Sequence, residues 1–181
     1  ISTALSLVYI WHGGFRSVVR TDILQFVSMF AGFILLLVFA WNLNDAPLSL
    51  KSALPERYFD PTGGNSVQYI LVWFFIAMWT FIDPGFYQRT AASCSPETAK
   101  KGILISICFW FIFDILTVTT ALYAVALFPH KEAAMAYPEL AFNILPPFVY
   151  GIFLIGLFST IMSTIDSNGL ISAITFGRDI L

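Results

Sequence analysis

The amino-acid sequence predicts an all-α protein whose helices form a polytopic transmembrane bundle. Hydrophobic residues make up 58% of the chain and charged residues 11%, whereas about 25% of the residues in an ordinary soluble domain are charged. The apolar residues also fall into uncharged stretches of about 20 residues, the length at which a helix crosses a hydrocarbon core of about 30 Å. A soluble fold could not bury this much apolar surface, so the lipid bilayer is the expected partner.

The charge and the cysteines exclude other classes of partner and site. The formal net charge is -2, and the sequence has no basic stripe of the kind that binds nucleic acid. Cys94 and Cys108 stand alone, with no CxxC spacing and no histidine at ligand spacing, so neither a disulfide nor a zinc site is expected. The sequence leaves the oligomeric state open.

Five membrane segments are predicted within a single domain, 1–181. Residues 1–11 read as the end of a span, and HGGFRSVVRTD supplies a glycine turn with two arginines before the first full span at about 21–44. Residues 45–66 are rich in Pro, Gly, Ser and charge, which indicates a loop. Because the chain begins in apolar sequence and stops just after Arg178 and Asp179, we expect it to be a piece of a longer protein.

The remaining spans follow at about 67–88, 102–128 and 147–176. Asp83, Pro84 and Gly85 interrupt the first of these, and proline removes a backbone donor there, which predicts a helix break within 81–85. The loop before the second, 89–101, contains Ser95, a good N-cap residue followed by proline. A short amphipathic connector, 129–146, leads into the last span.

The Lys and Arg residues lie unevenly on the two sides of these spans. Six fall on one side and three on the other. The six are Arg16, Arg20, Arg89, Lys100, Lys101 and Arg178, and the three are Lys51, Arg57 and Lys131. The bias places the richer side in the cytoplasm, so 89–101 should be cytoplasmic whereas 45–66 and 129–146 should face outward.

Asp83, Asp114 and Asp166 lie in or beside apolar spans, where a charged side chain at the centre costs at least about 2.5 kcal/mol. Such residues are expected to face a cavity or a partner. Asp83 has a simpler alternative, because the break at Pro84 needs a local acceptor for freed backbone donors. Asp114, with Thr117 on nearly the same side, could be paired or neutral instead of functional.

Hydroxyl residues form a stripe along one face of the last span. They recur at i, i+3, i+4 and i+7, with Ser159 and Asp166 flanking the face. The stripe consists of Thr160, Ser163, Thr164 and Ser167. Hydroxyl and carboxylate oxygens suit a small hard cation, although small hydroxyl residues also allow helices to pack closely. Both interpretations stay open.

Four motifs, in order along the chain, resemble the sodium/solute symporter family, which includes sodium-coupled proline, pantothenate and glucose transporters. Residues 13–25 (GGFRSVVRTDILQ) are similar to the family's GG-x-x-AV-x-x-TD-x-x-Q, which opens the fifth core helix. Residues 83–92 are similar to the QR-x-x-A signature that ends the sixth. Residues 138–146 resemble the outward connector, and 160–167 (TIMSTIDS) resemble the MST segment of the eighth.

The resemblance implies a core of two inverted five-helix repeats that holds solute and sodium near the midplane beside broken helices. The chain would then contain core helices five to eight and the tail of the fourth. The family's sodium site joins hydroxyls of the eighth helix to main-chain carbonyls of the first, which is not among these residues. In some relatives the acid that matches Asp22 lies on the sodium exit path, with Ser167 nearby, although Asp22 could instead cap a helix beginning at Ile23.

The expected sodium ligands are the main-chain carbonyl of Thr160 and the hydroxyls of Ser163 and Thr164, because a carbonyl at position i points toward residues i+3 and i+4. The alternative is that such a hydroxyl bonds back to that carbonyl. Asp166 is unusual, since relatives often carry a neutral or hydroxyl residue there. It could strengthen sodium binding or bind a second ion, or it could be paired or protonated.

The substrate cavity is expected to involve Ile76, Trp79, Trp110 and Asp83. Ile76 and Trp110 occupy positions that resemble the sugar-contacting Asn and Lys of sugar transporters, so a sugar is disfavoured. The sequence therefore predicts sodium-coupled symport of a small organic solute in a bacterial inner membrane. The alternative is a transporter-like sensor domain of a histidine kinase. An enzyme is not expected, since no nucleophile with an adjacent base is present.

The predicted orientation can be tested by labelling single cysteines in intact cells. In a protein whose Cys94 and Cys108 are replaced by serine, an impermeant thiol reagent should label Thr62→Cys and leave Glu97→Cys unlabelled until the cells are permeabilised. Labelling of the second variant but not of the first would contradict the assignment.

Overall fold

The computed structural model describes residues 2–43, 46–129 and 132–180, and the described residues fold into helices without a β-strand. The α-helices are α1 (Ser2–Trp41), α2 (Ala46–Ala53), α3 (Val67–Ile76), α4 (Pro84–Ala91), α5 (Pro96–Leu127), α6 (Ala136–Ile144) and α7 (Pro147–Ile174). The prediction of an all-α fold is confirmed. Three residues used in the sequence analysis lie outside the described residues. They are Ile1 and Asn44, at limits of predicted spans, and Lys131, which was counted among the positive charges.

Helix α1 joins the partial first span to the first full span, whereas the sequence predicted a glycine turn between them. Only Gly14 departs from helical geometry, with φ 53° and ψ -143°, so the predicted glycine turn is a kink at a single residue. Glycine accepts this positive φ without steric cost. The helix runs on through Asp22, so the alternative in which Asp22 caps a helix beginning at Ile23 is wrong.

The predicted helix break within 81–85 is confirmed. Helix α3 passes into a 3₁₀ segment, Ala77–Phe81, and α4 begins at Pro84. Asp83 is the N-cap residue, and its Oδ1 accepts a hydrogen bond from the Phe86 N–H at 3.1 Å. The carboxylate thus provides the local acceptor that the break requires. The two pieces, Val67–Phe81 and Pro84–Ala91, are bent by 42° and qualify together as one broken span.

Within the part of the chain that the structure describes, three other helices are long and apolar enough to cross a bilayer: Ser6–Trp41, Pro96–Leu127 and Pro147–Arg178. Helix α5 begins six residues before the expected limit of 102, because Ser95 caps it by accepting a hydrogen bond from the Thr98 N–H at 3.2 Å. The two segments that were predicted to face outward contain the short helices α2 and α6.

Aromatic rings form the centre of the packed core between α1, α5, α6 and α7. Phe33 of α1 makes edge-to-face contacts with Phe113, Tyr137 and Phe153, at centroid distances of 5.3, 5.2 and 5.6 Å. Such pairs stabilise packing beyond the area that they bury. Helix α3, in contrast, exposes its apolar side chains, as expected for a surface that lipid or other transmembrane helices cover.

The backbones of α1 and α7 approach each other closely at Gly32 and Gly156. A Cβ atom added at Gly156 would lie 2.6 Å from the carbonyl oxygen of Ser28 and 3.3 Å from Cα of Gly32. Small residues at such a point allow transmembrane helices to pack backbone against backbone. This contact fixes the position of the polar side chains further along both helices.

We expect Gly156→Ala to destabilise the detergent-solubilised intact protein by about 1–3 kcal/mol, the usual cost of overpacking a tight contact. Gly151→Ala is the matched control, because it lies in the same helix and its Cβ would have no heavy atom within 4 Å apart from its chain neighbours and its own helix backbone. The control should be as stable as the parent or slightly more stable, since alanine favours a helix over glycine. Equal unfolding midpoints for the two variants would show that α1 and α7 do not pack at this glycine.

Candidate functional site

Two neighbouring groups of polar side chains lie between α1, α4 and α7. The first, which we call the Asp22 cluster, contains Asp22, Arg89, Ser163 and Ser167. Arg89 Nη2 donates to Asp22 Oδ2 at 2.9 Å and to Ser167 Oγ at 2.8 Å. Ser163 Oγ donates to the other carboxylate oxygen, Oδ1, at 3.0 Å. Both oxygens of Asp22 therefore have partners, and its charge is balanced by a guanidinium.

The start of α4 brings Arg89 to this position. Gly85, in the first turn after Pro84, is buried, and a Cβ atom there would lie 3.4 Å from Cδ1 of Ile171 on α7. Arg89 is one turn further along, and its Nη1 donates to the Gly85 carbonyl at 3.3 Å. Helix α4, which follows the break at Asp83, thus places the guanidinium of Arg89 beside Asp22.

The second group, which we call the Asp166 cluster, contains Asp166, Gln25, Tyr9 and Ser6. Asp166 is fully buried and Gln25 is 7% exposed. Asp166 Oδ2 accepts hydrogen bonds from the Tyr9 hydroxyl and from Gln25 Nε2, the latter at 3.1 Å. Ser6 Oγ lies 3.3 Å from the Tyr9 hydroxyl. Asp166 Oδ1 and Gln25 Oε1 are buried and have no hydrogen-bond partner among the described residues.

The predicted sodium ligands lie on one stretch of α7 but differ in their hydrogen bonds. Thr160 Oγ1 donates to the Gly156 carbonyl at 3.1 Å, and Thr164 Oγ1 donates to the Thr160 carbonyl at 3.2 Å. The Thr164 bond is the back-bond to the Thr160 carbonyl that the sequence left open as the alternative. Ser163 instead reaches across to Asp22. Thr164 is exposed, so its oxygen is open to further ligands from outside the described residues.

The substrate-cavity candidates lie on open surfaces. Ile76, Trp79 and Trp110 are more than half exposed, at 52%, 66% and 63%. Asp83 is occupied by its role as N-cap. Asp114 is exposed on α5, and Thr117 donates to main-chain carbonyls one turn back rather than to the Asp114 carboxylate. Ile76, Trp79, Trp110 and Asp114 are therefore exposed on the surface that the described residues form.

Four members of the two clusters were absent from the sequence-based site: Arg89, Gln25, Tyr9 and Ser6. Gln25 is three residues after Asp22 on the same face of α1, a spacing that could have indicated it. Arg89 follows Gln88 in the QR-x-x-A motif, but nothing in the sequence indicated that its side chain would contact Asp22. Tyr9 precedes the kink at Gly14, and no local signal connects it to α7.

The chain is similar to known proteins over its whole length. The model of the Sodium:solute symporter family matches residues 1–181. The sodium/pantothenate symporter of Haemophilus influenzae is 28% identical over 96% of this chain and 37% of its own length. The high-affinity proline transporter PutP and the osmoregulated proline transporter OpuE, both of Bacillus subtilis, are 27% and 28% identical over 99% of this chain.

The chain spans about 40% of the length of these relatives: 37%, 40% and 38%, respectively. No solved structure matches it significantly.

The link between Asp22 and Arg89 can be measured with a double-mutant cycle on unfolding of the intact protein. We expect Asp22→Asn and Arg89→Gln to destabilise it singly, and less than additively together, with a coupling of about 0.5–3 kcal/mol. Arg20→Gln is the control, because Arg20 is exposed on α1, and its effect should stay within about 0.5 kcal/mol. Strictly additive single effects would contradict the ion pair.

Proposed function

This chain belongs to the sodium:solute symporter family, and we propose that its protein couples the inward flow of sodium to the uptake of a small organic solute. The relatives, a sodium/pantothenate symporter and two proline transporters, support transport over the sensor alternative. Their bacterial sources support a bacterial inner membrane as the location.

The proposed sodium ligands are the Thr160 carbonyl and the side-chain oxygens of Ser163 and Thr164. The observation that carries this assignment is the proximity of the Thr160 carbonyl to Thr164 Oγ1, 3.2 Å, with Ser163 in the same helical turn. Neighbouring oxygens around a hard cation bound at about 2.3–2.6 Å lie at a similar separation. The hydroxyl proton of Thr164 has only to turn from the carbonyl for both oxygens to face an ion.

Asp22 would orient the ligand atom of Ser163. A serine hydroxyl has one proton and two lone pairs. Because the proton is donated to Asp22 Oδ1 at 3.0 Å, the lone pairs of Ser163 stay available to a cation. Arg89 in turn balances the charge of Asp22 at 2.9 Å, so the carboxylate can position the hydroxyl without itself holding sodium strongly.

Further ligands and the walls of the solute site would come from other parts of the protein. The exposed Thr164 leaves coordination positions open, and the family resemblance implies main-chain carbonyls of another core helix there. Ile76 and Trp79 sit beside the break at Asp83, where transporter cores bind their solutes. Their apolar and aromatic character, with Trp110, favours a solute other than a sugar.

We expect Ser163→Ala and Thr164→Ala to raise the apparent sodium constant for uptake into proteoliposomes by about tenfold or more, since even indirect partners of metal ligands change affinity by about 10–100-fold. Thr119→Ala is the matched control, because the Thr119 hydroxyl donates within α5 to the Ile115 carbonyl at 2.6 Å. It should keep the parent constant. Parent-like sodium dependence in both α7 variants would refute the proposed ligands.

A further inference from the structure

Two arginines of α1, Arg16 and Arg20, lie one turn apart on the same face of the helix and have no ion-pair partner among the described residues. Both are exposed. The one ion pair in the described part of the chain joins Arg89 to Asp22 instead. Like charges at positions i and i+4 of a helix repel each other and destabilise it. Two such cations side by side indicate that an anion from outside the described residues lies against both.

Exposed apolar side chains continue the same face of α1 after Arg20. They recur three, four or seven residues apart, the spacing at which helical residues share a face. They are Ile23, Val27, Ile34, Val38 and Trp41. The opposite face of the helix is buried, as at Val18, Gln25 and Leu36. We call Arg16, Arg20 and the five apolar residues the α1 outer stripe.

The length of the α1 outer stripe matches the thickness of a hydrocarbon core. Trp41 lies 21 residues after Arg20, which separates them by about 31 Å at a rise of about 1.5 Å per residue. The hydrocarbon core is about 30 Å thick. Because tryptophan is typical of a membrane interface, Arg20 and Trp41 fit the two boundaries of the core. Arg16, one turn beyond Arg20, is then level with the lipid headgroups.

Charge complementarity identifies the kind of lipid that fits this stripe. Guanidinium groups bind phosphate oxygens through paired hydrogen bonds, and basic residues beside a span attract negatively charged headgroups. The phosphate would lie on Arg16 and Arg20, and the acyl chains would lie along Ile23, Val27 and the apolar residues that follow. A soluble anion would account for the arginines alone, whereas a phospholipid accounts for both parts of the stripe.

We propose that Arg16 and Arg20 bind the phosphate of an anionic phospholipid whose acyl chains lie along the apolar part of the α1 outer stripe. The site is on the opposite face of α1 from Gln25, which belongs to the Asp166 cluster. It therefore lies apart from the polar contacts between α1 and α7. Since it needs neither sodium nor solute, it does not rest on the proposed function.

The test measures lipid binding to the intact protein, stripped of lipid in a neutral detergent, by native mass spectrometry and by its thermal unfolding midpoint. Phosphatidylglycerol should bind the parent and raise the midpoint, because a ligand of the folded state stabilises it. The variant with both Arg16→Gln and Arg20→Gln should bind it about tenfold or more weakly. Phosphatidylcholine, which has no net charge, should bind the parent and this variant equally.

Lys100→Gln with Lys101→Gln is the matched control. It also removes two exposed positive charges, on the side of the membrane that is predicted to be the same, but these neighbouring residues do not face each other on α5. The control should bind phosphatidylglycerol as the parent does. Equal losses in the two double variants would show that the lipid responds to total charge, and the site on α1 would then be wrong.

Two further measurements separate the lipid from other anions. Inorganic phosphate at the same concentration should leave the parent midpoint unchanged, and a rise equal to that with phosphatidylglycerol would show that the arginines bind a soluble anion instead. Without added lipid, the Arg16 and Arg20 double variant should unfold at the parent midpoint or slightly above it, because repulsion is relieved. A clearly lower midpoint would show that a carboxylate elsewhere in the protein pairs with the arginines, and would overturn the proposal.

Discussion

Backbone contact between α1 and α7 at Gly32 and Gly156 is the constraint on which both polar clusters depend. Polar groups inside a bilayer find no water and must pair within the helix bundle. The helices cross so that residues earlier in α1 meet residues later in α7. Gln25 lies seven residues, about two turns, before Gly32, and Ser163 lies seven residues after Gly156. Side chains as short as serine and aspartate can then bridge the interface, as Ser163 and Asp22 do at 3.0 Å.

The sequence predicted the features that depend on local chemistry. Composition and the lengths of the uncharged stretches predicted the helical class, and Asp83-Pro84-Gly85 predicted the break because proline and glycine act on their own backbone. The preference of aspartate for N-cap positions did not indicate the role of Asp22. This residue lies inside α1 and pairs with Arg89, which is 67 positions away in the sequence. At Gly14 the predicted turn is a kink at a single residue, where glycine accepts a positive φ.

The spacing of the Ser and Thr residues identified the hydroxyl stripe of α7. It could not indicate which hydroxyls bond within α7 and which contact other helices. Thr160 and Thr164 bond to carbonyls of their own helix, whereas Ser163 and Ser167 contact Asp22 and Arg89 on other helices. The difference depends on which neighbour faces each side chain, and that follows from the crossing of three helices. For the same reason Tyr9 and Gln25 could not be assigned to Asp166 in advance.

The pairing of Asp22 with Arg89 has a consequence for how an electric field acts on the protein. A membrane voltage of about 100 mV changes the energy of one elementary charge that crosses it by about 2.3 kcal/mol. The paired carboxylate and guanidinium, 2.9 Å apart, carry no net charge, so such a field exerts almost no net force on them when they move together. The voltage acts instead on charges that move without an opposite charge beside them, and the Asp22–Arg89 pair is not one of these.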